Sequence, residues 1–399
     1  MGIGGAERWV VETAMALLQK GYTVKIYTAS WDPNRCFPET KDGTLEIVKP
    51  HFLGIPRTIF GKFQAICALW RCFLLTIWML WREERRETSL VIVDAVSSPL
   101  LVLKLFGIPS FFYCHFPDLL LAKRENRSYL YNCYRNWMDK IEEYTLSLAQ
   151  KIVVNSNFTA QVFQRTFPKL AKKGSISVLY PCIAVNWTAA FEAQHQTPTT
   201  TIVSLNRFEW KKHVDLLIYA VAYIRDAQLL DKEQWNNLSV VIAGGYDPRI
   251  DENVACLQHL ESLVQQLDLK DKFEFLVNIS DQSRQSLLSK CKMVVYTPVN
   301  EHFGIVPLEA MAMKKPVIAC NSGGPKETII HGETGLLCED SPKEIARAIA
   351  KLLKDEKWSQ QLGEKGFYRV QQCFSREATA NQLDEIVSEL LLETGRNNK

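Results

Sequence analysis

The sequence predicts an α/β protein of two doubly wound domains, each a parallel sheet covered by helices on both faces. Three observations predict it. Short Val/Ile/Leu-rich runs alternate with helical patterns along most of the 399 residues, as buried parallel strands do. The alternation breaks once, at the polar, unpatterned stretch 189–200 (AAFEAQHQTPTT), and then resumes. The length also exceeds what one ordinary core holds. The expected domains are therefore 1–188, a linker at 189–200, and 201–375. A last helix in 376–399 is expected to pack back on the first domain.

Bulk properties narrow the function. Hydrophobic residues make up 47% and charged residues 23%, which fits a globular protein and not a disordered one. A net charge of +3 is close to balance and gives no argument for nucleic acid as a partner. The eleven cysteines are scattered singly, without a CxxC. That usage predicts reduced thiols and no zinc site. No signal peptide is expected from the opening Met-Gly-Ile-Gly-Gly. Five Asn-x-Ser/Thr triplets, at Asn126, Asn157, Asn186, Asn237 and Asn278, are common chance patterns and carry nothing in a chain facing the cytosol.

In chain order, GIGGAER is a glycine turn feeding a helix through Lys20, with Val10, Ala14, Leu17 and Leu18 on its buried face. A turn of this kind is normally entered from a strand. The first sheet is thus expected to lack its first strand. Thr23–Tyr27 reads as a strand. The run 66–81 (ICALWRCFLLTIWMLW) is shorter than the roughly 20 apolar residues of a membrane span. It carries Arg71 at its middle, and Arg82, Arg85 and Arg86 follow. Two readings stand for it: an interfacial helix on a membrane, or a core helix. Further strands are expected at Leu90–Val93, Ser110–Tyr113, Lys151–Val154 and Ser177–Leu179, with a helix over Tyr129–Ala149.

The second series begins after the linker. Strands are expected at Thr201–Leu205, Leu238–Ala243, Lys272–Leu276, Met293–Tyr296, Pro316–Ala319 and Gly335–Leu337. Val214–Tyr223 and Val254–Leu267 read as helices, and the chain from Ser341 is helical with short breaks.

The chemistry gathers at strand ends. Tyr296–Pro325 reads as strand, polar loop, glycine at Gly304, and a helix opening at Pro307, where a missing amide is harmless. Such a loop aims backbone amides at an anion. Glu301 and Glu309 flank it. Glu309 falls in the first helical turn, where any acid is favoured by the dipole; Glu301, outside the helix, has less structural excuse. Arg207 and Lys212 follow the first strand of the second domain. They suit a diphosphate, Arg through bidentate bonds and Lys as a point charge, although basic loops are common. Gly244-Gly245 ends another strand and permits a close approach. His115 lies just past a strand of the first domain, where a lone histidine is more often structural than catalytic. No Asp-x-Asp carboxylate pair for a divalent ion stands in a suitable loop.

Taken together, these residues resemble the GT-B glycosyltransferases of family 4. The E-x7-E signature stands as Glu301-HFGIVPL-Glu309, the basic pair as Arg207 and Lys212, and the acceptor-side glycine loop as GIGGAER. YCHFPDLLLAKR, IEEYT, VNSNFTA, AGGYDPR and YTPVNEHFGIVPLEAM are similar to the mannosyltransferases of that family that act in early dolichol-linked oligosaccharide assembly. The resemblance implies a GT-B fold, two Rossmann-like domains facing across a cleft, and a retaining, metal-free transfer from GDP-mannose. Arg207 and Lys212 would hold the diphosphate and Glu309 the nucleotide ribose. Glu301 would hold the transferring mannose, with the amides of Phe303, Gly304, Ile305 and Val306. His115 would reach the same sugar, and Gly4 and Gly5 would border the acceptor. That acceptor would be a dolichol-diphosphate-linked oligosaccharide at the cytosolic face of the endoplasmic reticulum membrane, where other early-pathway glycosyltransferases would be partners. A nucleotide-sugar epimerase and a non-catalytic scaffold of a membrane glycosyltransferase assembly remain the competing expectations.

Overall fold

A computed structural model describes residues 5–34, 36–51, 54–59, 63–82, 88–122, 128–172, 174, 176–183, 200–393 and 395. Gly4 and most of the expected linker lie outside these residues. The chain divides into two units, 1–182 with 376–399, and 183–375.

The strands of the first unit are β1 (Lys25–Tyr27), β2 (Glu46–Val48), β3 (Val91–Asp94), β4 (Ser110–Cys114), β5 (Lys151–Val154) and β6 (Ile176–Val178). Its helices are α1 (Gly5–Gln19), α2 (Gln64–Arg82), α3 (Pro99–Leu105), α4 (Asp118–Leu121), α5 (Tyr129–Leu146), α6 (Asn157–Thr166) and α7 (Pro168–Ala171). Among the described residues the strands form two separate sheets, β1-β2 and β3-β4-β5-β6, with every pairing parallel. Side-chain alternation decides which helix covers which face. Phe111, Tyr113, Val153 and Leu179 pack with Trp9 and Leu17 of α1. Phe112, Cys114 and Val154 pack with Met79 of α2, Leu100 of α3 and Phe163 of α6.

The second unit contains β7 (Thr201–Leu205), β8 (Ser239–Gly244), β9 (Phe273–Val277), β10 (Met293–Tyr296), β11 (Val317–Cys320) and β12 (Leu336–Cys338). Between them run α8 (Asp215–Asp226), α9 (Lys232–Asn237), α10 (Asp251–Gln266), α11 (Asp281–Lys290), α12 (Ile305–Ala312) and α13 (Pro325–Thr328). Then follow α14 (Pro342–Lys354) and α15 (Glu356–Cys373). The sheet is parallel, in the order β12-β11-β10-β7-β8-β9. The chain thus leaves β7 toward β8 and β9, then returns to the other side of β7 at β10. That reversal is a topological switch point, and ligands of doubly wound sheets bind at the strand ends there.

The last helix, α16 (Arg376–Glu393), belongs to the first unit. Arg376 Nε donates to Glu12 Oε2 of α1 at 2.8 Å, and Tyr22 Oη donates to Asp384 Oδ1 at 2.6 Å. Lys151 of β5 is paired with Glu389. Glu12 is almost fully buried, and Arg8 and Arg376 both compensate its charge.

Three expectations need correction. The helix after Gly304 opens at Ile305, two residues ahead of Pro307. Gly304 turns the chain at φ 87°, a conformation a side chain would disfavour. Pro307 still sits in the first turn, where its missing amide costs nothing. As a result Glu309 falls in the second turn, and the helix dipole alone does not account for it. Strand β2 was not expected at all: three residues with one exposed leave no readable alternation.

Every one of the eleven cysteines is free. The run 66–81 forms most of α2, a 19-residue helix long and apolar enough to cross a membrane by length and composition. Leu75, Met79 and Leu80 of this helix are buried, whereas Trp70, Ile77 and Trp81 are exposed.

Candidate functional site

The second unit brings Arg207, Lys212, Glu301 and Glu309 to the switch point. β7 ends at Leu205, and Asn206 N–H donates to Ala243 O at 3.0 Å, while Phe208 N–H donates to Gly245 O at 3.2 Å. These bonds press the loop after β7 against the end of β8. A Cβ on Gly244 would lie 1.7 Å from Asn206 O, so only glycine fits there. A short 3-10 turn, Trp210–Lys212, follows and ends with His213 at φ 46°. That tight reversal sends Lys212 inward, and its carbonyl accepts from Thr297 Oγ1 at 2.7 Å. The loop after β7 is thereby tied to the loop after β10.

Lys212 Nζ is ion-paired with Glu301 Oε2, and both side chains are largely out of water. Burial opposes ionisation of Glu301. The Lys212 ammonium outweighs it, helped by His302 and Lys211, and holds the carboxyl below its ordinary value. Beneath it lies the buried Tyr296, whose hydroxyl is kept protonated by burial and by the Glu301 charge, and which hydrogen-bonds that carboxylate. Arg207 is different. Its side chain is 64% exposed, and its guanidinium meets Glu209 at 3.0 Å. It is a cation facing solvent and paired with Glu209.

The Glu301 loop is shaped by the next strand's turn. Asn300 N–H donates to Ser322 Oγ at 2.7 Å, and Gly324 N–H donates to Glu301 O at 2.8 Å. Gly323 has φ +62°, and a Cβ there would stand 2.4 Å from Glu301 O. A Cβ on Gly324 would stand 2.3 Å from Phe303 Cα. The two glycines let one loop lie directly on the other. Phe303 is buried against Phe374. Ile305 and Val306 begin α12, so their amides have no intrahelical carbonyl to bond.

Glu309 projects from the second turn of α12 and pairs with Arg284 of α11. Burial raises its carboxyl to about 7, and the Arg284 guanidinium pulls the other way. Arg284 was missed in the sequence, because nothing in DQSRQSLLSK distinguishes it from ordinary surface basicity.

His115 stands at the end of β4 in the first unit. Its Nε2 lies 2.8 Å from Asp94 Oδ1, at the end of the neighbouring β3. Asn155 Nδ2 donates to the His115 carbonyl at 3.0 Å, and the ring meets Tyr113 edge to face at 4.9 Å. Asp94 was also missed. An acid closing the buried run Val91–Val93 was the available signal. Gly5 is the first residue of α1, with open space where a Cβ would stand. Among the described residues no three His, Cys, Asp or Glu side chains are grouped to hold a metal ion.

Two family models match in succession, Glycosyltransferase Family 4 over residues 3–187 and Glycosyl transferases group 1 over residues 185–369. With the two parallel-sheet units, they define a glycosyltransferase of the GT-B fold. The α-1,3/1,6-mannosyltransferase ALG2 of Homo sapiens is 41% identical over 98% of this chain and 94% of its own length. That of Saccharomyces cerevisiae is 37% identical over 98% of this chain and 83% of its own. The chain belongs to this family of eukaryotic α-1,3/1,6-mannosyltransferases. Among solved structures, a sucrose-phosphate synthase of Thermosynechococcus elongatus aligns with a TM-score of 0.73 at 22% identity, covering 98% of this chain and 94% of that one. A glycosyltransferase of Rickettsia africae aligns at 0.71 and 20%, covering 97% and 95%. At these identities the likeness concerns the fold.

Proposed function

We propose that this chain adds two mannoses from GDP-mannose, α-1,3 and then α-1,6, to a mannosyl-chitobiosyl diphosphate dolichol. The reaction belongs to lipid-linked oligosaccharide synthesis for protein N-glycosylation. It takes place at the cytosolic face of the endoplasmic reticulum membrane, beside other early-pathway glycosyltransferases. The observation that carries the reading is the Lys212–Glu301 pair at the switch point of the second sheet.

The roles follow from the charges. GDP leaves as a diphosphate whose developing charge needs cations and amides. Lys212 supplies a buried cation, Arg207 an exposed bidentate one, and the first turn of α12 supplies amides. No metal is assigned to the step. Glu301 is acceptor-only and ionised, so it takes hydrogen bonds from hydroxyls of the transferring mannose. Glu309, once ionised, does the same for the ribose. His115 is assigned to the transferring sugar, oriented by Asp94, and Gly4 and Gly5 to the acceptor. Attack by the acceptor hydroxyl on the face that GDP leaves retains the anomeric configuration.

Trp70, Ile77 and Trp81 on the exposed side of α2 are assigned to the membrane surface. The test is to incubate the protein with GDP-mannose and the mannosyl-chitobiosyl lipid, and to count added sugars by mass. Two additions, lost in Glu301→Gln, are expected. No addition would favour the scaffold, and altered free sugar nucleotide the epimerase.

A further inference from the structure

The IEEYT run, which the donor site does not use, lies in α5 of the first unit. The inward face of α5 carries polar side chains at helical spacing. Arg135 and Thr145 are almost fully buried, and Glu142 between them is half-buried. Such groups cost stability unless they are hydrogen-bonded, and each of them reaches out of the helix to one of two loops. Glu142 and Arg135 hold the loop after β4. Asp118 N–H donates to Glu142 Oε1 at 2.9 Å and Leu119 N–H to Oε2 at 3.2 Å, so one carboxylate grips both amides. Arg135 Nη2 donates to Asp118 Oδ2 at 2.9 Å. These contacts fall three and four residues after His115. Burial raises the Glu142 carboxyl to about 7, and the two amides pull the other way, favouring its ionised form.

Thr145 holds the loop after β3. Its hydroxyl donates to Ile141 O at 2.8 Å within its own helix, which leaves the Ser97 hydroxyl to donate to Thr145 Oγ1 at 2.7 Å. The turn leading to Ser97 is strained. Ala95, directly after Asp94, has φ 60°, and Val96 N–H donates back to Asp94 O at 2.7 Å. A side chain disfavours that conformation, and it persists only where its surroundings hold it. Ser97 on Thr145 is one such tie, and Ser98 Oγ, donating to Leu69 O of α2 at 2.8 Å, is the other.

We infer that Glu142 and Thr145 are positioning residues for the Asp94–His115 pair. Asp94 ends β3 and His115 follows β4, and their contact at 2.8 Å joins the two loops that leave these strands. A hydrogen bond weakens steeply once its length and angle leave a narrow range, so the two loops need a common anchor. α5 is that anchor. Glu142 and Thr145 are three residues apart, hence neighbours on one helix face, and each holds one loop. Asn155, just after β5, adds a bond from its Nδ2 to the His115 carbonyl at 3.0 Å. The effect on activity rests on the role proposed above for His115 at the transferring sugar; the effect on the ring does not.

Two readouts on the full chain separate positioning from plain support of the fold. The first is the His115 ring, followed by NMR with nitrogen-labelled histidine and assigned by its loss in His115→Ala. The second is kcat and KM for transfer from GDP-mannose to the mannosyl-chitobiosyl lipid, per folded protein. Glu142→Ala and Thr145→Val are expected to shift the ring signal in the direction that Asp94→Asn shifts it. Each should lower kcat about tenfold or more, with the KM for GDP-mannose little changed. In a His115→Ala background neither should lower kcat further, although each still lowers the melting temperature. Glu142→Gln keeps one acceptor oxygen for the two amides, so it should fall between the native chain and Glu142→Ala, and it serves where Glu142→Ala does not fold. Glu143→Ala, the next acid in the same run, should leave ring signal and kcat unchanged. A native ring signal in Glu142→Gln and Thr145→Val overturns the inference, and so does a native kcat in both where His115→Ala has lost it. A shifted ring signal beside a native kcat in His115→Ala upholds the positioning and refutes instead the role of His115 at the sugar.

Discussion

The Lys212 ammonium and the Glu301 carboxylate form an ion pair that joins the loop after β7 to the loop after β10. These strands are neighbours in the sheet although 89 residues separate the two side chains. The pair therefore fixes the switch point and charges it at once. Lys212→Met leaves a mostly buried carboxylate without its partner. The expected outcome is a stability loss of about 1–3 kcal/mol and a fall in kcat/KM of roughly 10²–10³-fold. Thermal melts and transfer kinetics with GDP-mannose check both. An unchanged kcat/KM would remove Lys212 from the site.

The same pair sets a pH dependence. The Glu301 carboxyl sits below its ordinary value when folded. Its contribution to stability is therefore fully present above the unfolded carboxylate pKa, and is lost as the pH falls through the lowered folded value. Denaturant melts across the acidic range are expected to show this loss in the native chain. They should show it weakened in Lys212→Met, where the cause of the lowering is gone. Identical acid limbs would contradict the assignment.

Glu309 behaves in the opposite sense. Its folded carboxyl, raised to about 7 from 4.5, binds its proton more tightly in the folded state. Its contribution is thus full below the unfolded pKa and declines as the pH rises toward 7. Stability and activity then pull apart, since the proposed ribose contact uses the ionised form. The kcat/KM for GDP-mannose is expected to rise as the pH passes through about 7. Arg284→Gln should move that rise to higher pH, because the guanidinium favours the ionised acid. Glu309→Gln should abolish it. A profile identical in Arg284→Gln would show that another group controls it.

What was legible in the sequence, and what was not, divides along physical lines. Buried parallel strands have no polar face, so runs such as Met293–Tyr296 and Thr201–Leu205 stand out, and both matched to the residue. The three-residue β2 has too few side chains to carry a pattern. Glu301, Lys212 and Arg207 were visible because they fall in the loops after apolar strand runs, at the places of the E-x7-E signature and the basic pair. The partners of Glu309 and His115 were not. Arg284 meets Glu309, and Asp94 meets His115, only through the packing of separate elements. The start of α12 was misplaced because Gly304 takes a left-handed turn that a proline rule does not anticipate.

The glycine pair at 323–324 offers a test of the loop geometry alone. A methyl on Gly324 would stand 2.3 Å from Phe303 Cα, and one on Gly323 would add strain at φ +62°. Gly324→Ala is expected to lower stability by about 1–3 kcal/mol, as overpacking does, and to cut transfer by displacing Glu301. Gly5→Ala, with open space around it, is the matched control and should leave the melt within about 0.5 kcal/mol. Equal melts for the two variants would mean that the loops are not in this contact.

On α2, exposure separates two roles that composition cannot. Trp70 is 47% and Trp81 is 84% exposed, whereas Leu75 is buried. Trp78 meets Tyr27 edge to face at 6.4 Å, so it serves packing as well. Trp70→Ser/Trp81→Ser is expected to leave the thermal melt nearly unchanged and to reduce co-flotation with liposomes several-fold. Leu75→Ser should do the reverse, lowering the melt through a buried hydroxyl. Undiminished flotation of the double variant would assign membrane contact elsewhere.

The Asp94–His115 contact at 2.8 Å yields the last prediction. A carboxylate beside one ring nitrogen fixes the orientation and tautomer of a histidine, leaving the other nitrogen for a ligand. Asp94→Asn keeps the shape and removes the charge, so it perturbs His115 with little change in packing. If His115 acts on the transferring sugar, this variant loses a charged hydrogen bond of about 1.5–3 kcal/mol, or roughly 10–100-fold, in kcat. The KM for GDP-mannose should stay close to that of the native chain, because the residues proposed for the diphosphate and ribose all belong to the second unit. His115→Ala should lower kcat at least as far, and the double variant no further than His115→Ala alone, since both changes remove one interaction. Losses that multiply in the double variant would mean that Asp94 acts on its own, and a fall confined to the thermal melt would return both residues to a structural role.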